Sequence, residues 1–201
     1  MTSPAAAGAE DEDALLRRFQ DESRAAHRAR SLALVGFMGA GKTSLGQAVA
    51  QDLGRPFVDT DVELERRGGR AIADYFAAGK EAVFRTLEAE VIADLVAEPP
   101  CVLSLGGGAL LNAGTRRLLL ERCFVVHLFV SWADVRDALP ALKATRPLLQ
   151  ERTDAEIHEL YVRRQWTYRT AHLRIDAPRT SVTEAAARVL SLLAADRSPV
   201  L

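Results

Sequence analysis

A glycine-rich segment near the start of the chain, Gly36 to Thr43, constrains the fold more than any other feature. It fits the pattern G-x-x-x-x-G-K-[ST]. A short apolar run, residues 32–35, precedes it, and the stretch that begins at Leu45 is typical of a helix. Strand, loop and helix in this order form a phosphate-binding site, because backbone N–H groups and the positive helix N-terminus face the anion together.

The same segment assigns roles to individual side chains. Lys42 can reach the β- and γ-phosphates of a nucleotide, and the hydroxyl of Thr43 can bind Mg²⁺. The alternative is an ordinary glycine-rich turn, and the strand before it and the helix after it argue against that. The residues expected to surround the phosphates are Gly39, Ala40, Gly41, Lys42, Thr43 and Ser44.

Composition excludes several classes of protein. The 26 basic and 27 acidic residues among 201 nearly cancel, so no bulk charge points to nucleic acid or to an anionic membrane. We find no secretory signal and no apolar run near the ~20 residues of a membrane span. Cys101 and Cys123 lie among apolar residues without metal-ligand spacing, which indicates buried thiols in a reducing compartment. We therefore expect a cytoplasmic protein, and a monomer as the default for a single compact domain.

The chain divides into an N-terminal extension, 1–30, and one α/β domain, 31–201. The extension is expected to be partly disordered, with a short helix possible at 13–30. Repeated strand–helix units in the domain imply a parallel sheet covered on both faces. The expected strands are 31–35, 57–61, 101–105, 124–130 and 172–176. The expected helices are about 42–53, 61–67, 71–78, 80–96, 112–121, 131–138, 154–170 and 182–195, with a polar connection at about 140–153.

Two carboxylates follow the second expected strand, in the sequence Asp59-Thr-Asp61. Ligands of open α/β sheets bind outside the carboxyl ends of the strands. Asp59 can therefore help to hold Mg²⁺ through water, and Asp61 can face a hydroxyl of the substrate. The alternative is that Asp61 is only the N-cap of the next helix.

Further candidates for ligand binding follow along the chain. Gly106, Gly107 and Gly108 come after a buried strand and allow close approach by a polyhydroxylated or anionic ligand, or else form a tight turn. The guanidinium groups of Arg85, Arg146 and Arg164 suit carboxylate and phosphate, although most arginines are solvated surface groups. Arg146 lies in the polar connection and is a candidate lid residue. His127, inside an apolar strand, is expected to be buried and satisfied.

In this order and spacing, the motifs resemble those of the shikimate kinase family. They are the phosphate loop, Asp-Thr-Asp, Phe-Arg-x-x-Glu, Ser-Leu-Gly-Gly-Gly, Arg-Pro-Leu-Leu and a late Arg, and the resemblance covers residues 31 to about 195. It implies a phosphate-loop NTPase fold of the nucleoside-monophosphate-kinase type. This fold has a five-stranded parallel sheet of order 2-3-1-4-5, flanking helices and a lid at about 140–153.

The resemblance also implies a reaction, the transfer of the ATP γ-phosphoryl group to the 3-hydroxyl of shikimate, with Mg²⁺, in chorismate biosynthesis. On the nucleotide side, it implies that Lys42 contacts the phosphates, that Thr43 binds Mg²⁺ directly and Asp59 through water, and that Arg146 contacts the phosphoryl group. On the acceptor side, it implies that Asp61 contacts the reacting hydroxyl and that Arg85 and Arg164 bind the shikimate carboxylate. The ring hydroxyls would be held by Gly106, Gly107 and Gly108, and the pocket wall would be formed by Phe76 and Phe84. Residues 137–143 are more apolar than the family pattern. Arg136 and Arg179 are therefore the remaining candidates for contact with the adenine base.

Two alternatives stay open on the sequence. One is a kinase for another small hydroxylated acid or sugar, such as gluconate. The other is a non-catalytic module that senses shikimate. Such a module would tolerate loss of Asp61, whereas Lys42, Thr43, Asp59 and Asp61 are all present here.

Overall fold

The structure is a computed structural model, and it describes residues 30–145, 147–150, 152–177 and 180–195. Arg146, Arg179 and residues 1–29 of the expected extension lie outside the described residues. The strands are β1 (Ser31–Gly36), β2 (Phe57–Asp59), β3 (Val102–Ser104), β4 (Cys123–Phe129) and β5 (Leu173–Asp176). The helices are α1 (Lys42–Leu53), α2 (Thr60–Gly68), α3 (Ile72–Ala77), α4 (Glu81–Ala97), α5 (Ala113–Arg122), α6 (Trp132–Thr145), α7 (Pro147–Gln150), α8 (Asp154–Tyr168) and α9 (Val182–Ala195), with a 3₁₀ turn at Ala109–Leu111.

The five strands form one parallel sheet in the order β2-β3-β1-β4-β5, which confirms the expected topology. Ser104 of β3 is in register with Leu34 of β1 and with Asp59 of β2. Gly36, the last residue of β1, is in register with Leu128 of β4. The carboxyl ends of four strands therefore meet at one edge, where the phosphate loop, the carboxylates and the glycine loop all begin.

The two faces of β1 serve two different cores. Leu32 and Leu34 pack in a cluster with apolar residues of α1, α6, α8 and α9. Ala33 and Val35 point the other way, into a cluster with residues of α4 and α5. This period-2 alternation with both faces buried is what a central parallel strand requires.

A smaller cluster beside the sheet joins α2, α3 and α4. It is built from Leu64, Tyr75, Phe84 and Val91. Phe84 packs on Tyr75 and Phe76 with ring centroids 5.9 and 5.3 Å away. This layer fixes α2 and α4 against each other, and these two helices carry Asp61 and Arg85. No helix in the described ranges is long and apolar enough to cross a bilayer.

The second strand is shorter than expected. β2 ends at Asp59, and α2 begins at Thr60 rather than at residue 61. Asp59 is the N-cap, because its Oδ1 accepts a 3.0 Å hydrogen bond from the backbone N–H of Asp61. The alternative that Asp61 caps this helix is therefore wrong, and its side chain lies within the first turn.

The helix after β4 is longer than expected. We expected a helix over 131–138 and a polar connection from about residue 140, but α6 continues through Pro140 to Thr145, and α7 occupies Pro147–Gln150. Val135 and Leu139, one turn apart, are both buried, and Leu142 packs against the same core. This apolar face stabilises α6 although Pro140 cannot donate a backbone hydrogen bond.

The last helix begins as expected. The Ser181 hydroxyl accepts a 3.2 Å hydrogen bond from the Glu184 N–H, and the Glu184 carboxylate accepts from the Ser181 N–H at 2.9 Å. This reciprocal capping box satisfies two N–H groups that the helix itself leaves unpaired.

Candidate active site

The phosphate loop joins β1 to α1. Gly39 and Gly41 have φ angles of 81° and 82°, a left-handed conformation that glycine adopts without strain. A Cβ at Gly36 would lie 2.6 Å from the carbonyl oxygen of Leu128, so this position also excludes a side chain. No side chain caps the N-terminus of α1. Its first N–H groups are therefore available to an anion, as the motif predicts.

The first two residues of α1, Lys42 and Thr43, have polar side chains beside this loop. The Lys42 ammonium donates a 3.1 Å hydrogen bond to the carbonyl oxygen of Gly36, which holds the side chain along the loop. The Thr43 hydroxyl lies 3.5 Å from Oδ2 of Asp59, across the gap between α1 and β2. A hydroxyl and a carboxylate beside a phosphate loop are the oxygen ligands that Mg²⁺ prefers, so this pair fits the expected metal position.

The glycine loop 106–108 brings together three charged residues that are far apart in the sequence. A Cβ built at Gly106 would lie 2.5 Å from Oδ1 of Asp61. The same atom at Gly107 would lie 2.6 Å from Nη1 of Arg164, and at Gly108 it would lie 2.5 Å from Nη1 of Arg85. The loop consists of glycine because any side chain there would displace these groups.

Buried hydroxyl groups hold this loop in place. The Thr60 hydroxyl donates to the carbonyl oxygen of Ser104 at 3.1 Å and accepts from the N–H of Gly106 at 2.9 Å. The Tyr168 hydroxyl donates to the carbonyl oxygen of Gly107 at 2.8 Å. Thr60 and Tyr168 are both about 1% exposed, so each hydrogen bond is shielded from water.

Arg85 is oriented by carboxylates of its own helix. Its Nη1 lies 2.7 Å from Glu88, and its Nη2 lies 3.2 Å from Glu81. The guanidinium carbon also lies 5.1 Å from the ring centroid of Phe84 and 5.9 Å from that of Phe76. Burial raises the pKa of Glu88, although the neighbouring charge of Arg85 acts in the opposite direction. The aromatic rings and the buried carboxylate leave Arg85 little freedom to turn away from the glycine loop.

Arg164 has an unusual environment for a guanidinium group. It is 6% exposed, lies 5.7 Å from the ring centroid of Phe37, and its Nε has no hydrogen-bond partner among the described residues. Burial lowers the pKa of Arg164, and the charge of Arg85 adds to this effect. A buried guanidinium that lacks an anion at Nε is suited to bind the carboxylate of a ligand.

An apolar cavity of about 350 Å³ adjoins the phosphate loop on the side away from the glycine loop. It lies between the loop, the end of β4, α6, the segment after β5 and the start of α9. Its walls include Met38, Gly39, Leu128, Ala138, Leu142, Ala177, Thr180 and Val182. Arg136, an adenine candidate from the sequence, is not among the residues that line it, and its side chain is 63% exposed. The cavity has the apolar walls that suit a flat heteroaromatic base.

His127 is buried, as expected, but it is not satisfied. It is 3% exposed, and its Nε2 has no hydrogen-bond partner within the described part of the chain. Burial, together with the charge of Arg174, lowers the pKa of His127 to about 4. The ring is therefore neutral near pH 7 and packs 5.0 Å from the ring of Tyr168.

Most charged residues that meet here were expected from the sequence, but three supporting residues were given no role. The structure brings Asp61, Arg85 and Arg164 to the glycine loop and Lys42 to the phosphate loop, whereas Arg146 lies outside the described residues. The three supporting residues are Thr60 and Glu88, which had entered only as members of the motifs Asp-Thr-Asp and Phe-Arg-x-x-Glu, and Tyr168. Helical spacing was the available signal for two of them, because Glu88 follows Arg85 by three positions and Tyr168 follows Arg164 by four.

A parallel sheet of this order, with a phosphate loop after β1 and a glycine loop that carries a carboxylate and two guanidinium groups at the same edge, defines a small-molecule kinase of the phosphate-loop class. Comparison with known sequences gives the family within this class. A sequence model described as shikimate kinase matches residues 38–194, and the chain belongs to the shikimate kinase family.

Individual relatives agree with this assignment. The shikimate kinase of Geobacillus kaustophilus is 41% identical over 165 residues, covering 81% of this chain and 88% of the relative. That of Cereibacter sphaeroides is 41% identical over 170 residues, covering 82% and 83%. Among solved structures, shikimate kinase from Acinetobacter baumannii in complex with shikimate superposes with a TM-score of 0.74 at 35% identity, covering 85% of this chain and 96% of that one.

Proposed function

We propose that this protein transfers the γ-phosphoryl group of ATP to the 3-hydroxyl of shikimate, giving shikimate 3-phosphate and ADP in chorismate biosynthesis. The observation that carries the proposal is the convergence of Asp61, Arg85 and Arg164 on the glycine loop 106–108. One carboxylate and two guanidinium groups complement an acceptor that has both a reacting hydroxyl and a carboxylate. The relatives named above support the choice of shikimate.

The nucleotide occupies the phosphate loop and the adjoining apolar cavity. Backbone N–H groups over Gly39 to Ser44 surround the β-phosphate, except that of Ala40, which donates to the Phe37 carbonyl oxygen at 3.2 Å and holds the turn. Lys42 contacts the β- and γ-phosphates. The adenine base lies in the cavity beside Leu142 and Val182. The arrangement explains why the walls of this cavity are apolar although the neighbouring loop is built to bind anions.

Thr43 and Asp59 would hold Mg²⁺, with the Thr43 hydroxyl as a direct ligand and Asp59 acting through water. Their side chains already face each other at 3.5 Å. An Mg²⁺ ion held by these two residues would supply positive charge to offset the charge that develops on the β- and γ-phosphates. Asp59 also caps α2, so the same carboxylate positions the backbone of Asp61.

Asp61 acts on the acceptor hydroxyl. Its carboxylate orients the 3-hydroxyl and accepts the proton as this oxygen bonds to the γ-phosphorus and the bond to the β,γ-bridging oxygen breaks. Arg85 and Arg164 bind the shikimate carboxylate from two sides. Phe76 and Phe84 form the apolar wall. Catalysis then rests on positioning and charge stabilisation, which phosphoryl transfer mainly requires.

The remaining assignments rest on sequence. Arg146 steadies the transferred phosphoryl group from a lid at about 140–153, and residues 31–201 form the kinase domain after the extension 1–30. We also propose that the protein acts as a cytoplasmic monomer without a nucleic-acid or membrane partner. Cys101 and Cys123 are buried free thiols, which supports a reducing compartment. Burial raises the pKa of Cys123 to about 12 and also raises that of Cys101, so both thiols stay protonated and unreactive.

A coupled assay of ADP release tests the function. The protein is incubated with MgATP and shikimate, quinate or gluconate in parallel. Saturable turnover with shikimate and little with the other two is the expected result. Turnover only with another acceptor would overturn the substrate assignment, and shikimate binding by calorimetry without turnover would indicate a sensing module.

A further inference from the structure

The hydroxyl of Tyr168 lies between the two ligand-binding loops. It donates to the carbonyl oxygen of Gly107 at 2.8 Å, and the carbonyl oxygen of Gly36 lies within reach at 3.3 Å. A phenol has one hydrogen to donate, so the two carbonyl groups compete for it. Gly36 begins the phosphate loop and Gly107 is the middle of the glycine loop, so this one atom connects the two sites.

The phosphate-loop lysine shares one of these carbonyl groups. Lys42 donates to the same Gly36 oxygen at 3.1 Å. Phosphates are charged acceptors and form stronger hydrogen bonds with an ammonium group than a neutral carbonyl does. A bound nucleotide therefore weakens the hydrogen bond from Lys42 to Gly36, and the Gly36 oxygen becomes a better acceptor for Tyr168.

The change of hydrogen bonds at the Gly36 carbonyl oxygen also affects the glycine loop, where the acceptor binds. When the Tyr168 hydroxyl turns to Gly36, the Gly107 carbonyl loses its donor and becomes available to a hydroxyl of the acceptor. Arg164 lies one turn earlier on α8, and its Nη1 would be 2.6 Å from a Cβ at Gly107. The tyrosine ring itself stays in place, because it is 1% exposed and packs on His127.

We propose that Tyr168 is a positioning residue whose hydroxyl couples nucleotide binding at the phosphate loop to acceptor binding at the glycine loop. The inference rests on the proposed function. It requires positive coupling, in which bound nucleotide tightens shikimate binding and bound shikimate tightens nucleotide binding by the same factor. One neutral hydrogen bond gives a coupling of roughly 3- to 10-fold.

The chain offers a matched pair of variants. Tyr161 lies on the same helix, is also buried, and donates its hydroxyl to the carbonyl oxygen of Val130 at 2.9 Å. Tyr168→Phe and Tyr161→Phe each remove one buried hydroxyl from α8. Only the first removes a group that touches both ligand-binding loops, so Tyr161→Phe controls for the loss of a buried hydrogen bond.

The test is a thermodynamic cycle measured by calorimetry. The Kd for shikimate is determined with and without a non-hydrolysable ATP analogue and Mg²⁺, for the wild type and both variants, with unfolding curves to compare stability. We expect the ratio of the two Kd values to be roughly 3 to 10 in the wild type and in Tyr161→Phe, and near 1 in Tyr168→Phe. A wild-type ratio of 1, or a full ratio in Tyr168→Phe, would overturn the inference.

A second measurement needs only folded protein with the native tyrosine. The ¹³Cζ chemical shift of Tyr168 reports the hydrogen bonding of its hydroxyl, and it should move when the ATP analogue binds. An unmoved Tyr168 signal would contradict the exchange between carbonyl groups. Wild-type protein that binds no shikimate in the calorimeter would contradict the proposed function instead, so the two failures are distinguishable.

Discussion

Arg85 donates a 2.7 Å hydrogen bond to Glu88, one turn further along α4, and the Glu88 side chain is only 4% exposed. The pair turns the guanidinium toward Gly108 rather than toward solvent. Because the Glu88 carboxylate is already buried in the free protein, binding of an anionic ligand does not have to remove water from it. Arg85 is therefore held beside the glycine loop in the free protein, and a guanidinium preorganised in this way favours tight binding of an anionic ligand.

Arg85→Ala should raise the KM for shikimate by about 30-fold or more, because truncating one partner of a buried charged pair typically costs at least about 2 kcal/mol. The KM for ATP should change little, since the phosphate loop lies on the other side of the site. Steady-state kinetics with each substrate varied in turn measures both values. Arg117→Ala is the control, because this side chain is 80% exposed on α5. An unchanged KM for shikimate would remove Arg85 from the acceptor site.

Gly108→Ala should act on the same arginine without a change in charge. The new methyl group would lie 2.5 Å from Nη1 of Arg85 and would displace the guanidinium. We expect the KM for shikimate to rise roughly tenfold, because small misplacements of binding groups are costly. The free energy of unfolding should change little, since the end of a flexible side chain can move aside.

The control for this variant is Gly114→Ala in α5, where the nearest atom to the new methyl group is Asn112 Oδ1 at 3.3 Å. It should leave both KM values near those of the wild type. Loss of stability in Gly108→Ala with unaltered substrate affinity would show that the glycine serves the fold alone.

His127 predicts a dependence of stability on pH. Its pKa is about 4 in the folded protein and near 6.5 in the unfolded chain, so the unfolded chain binds the proton first as the pH falls. The contribution of His127 is complete above about pH 6.5 and declines progressively toward pH 4, by on the order of 3 kcal/mol. Urea unfolding of the wild type and His127→Gln from pH 7.5 to pH 4.5 measures it. The variant should lose less stability over this range, and parallel curves would contradict the prediction.

Much of the fold could be predicted from the sequence because its signals are local. The apolar run 32–35, the glycines of the phosphate loop and the capping box at Ser181 each depend on neighbouring residues, and the structure confirms them. The extent of α6 could not be predicted in the same way. Pro140 is a local signal against a helix, whereas burial of Val135 and Leu139 is a tertiary effect that outweighs it.

The candidate site shows the same division. Asp61, Arg85 and Arg164 could be proposed from the sequence as site residues because their chemistry and motif spacing are visible in the chain, and the structure brings them together at the glycine loop. Thr60 and Tyr168 were missed because a hydroxyl gains its role only from the carbonyl groups of other strands that the fold brings near it. The apolar cavity was missed for a related reason, since its walls come from five separate segments.

Asp61→Asn tests the central claim most directly, because the substitution keeps the shape of the side chain and removes its charge beside the glycine loop. Turnover with MgATP and shikimate is measured together with ATP binding by calorimetry. Asp94→Asn, a 64% exposed carboxylate on α4, is the matched control. We predict that Asp61→Asn lowers kcat by about 100-fold or more while ATP binds as in the wild type. Turnover close to that of the wild type would contradict the assignment of Asp61 to the reacting hydroxyl.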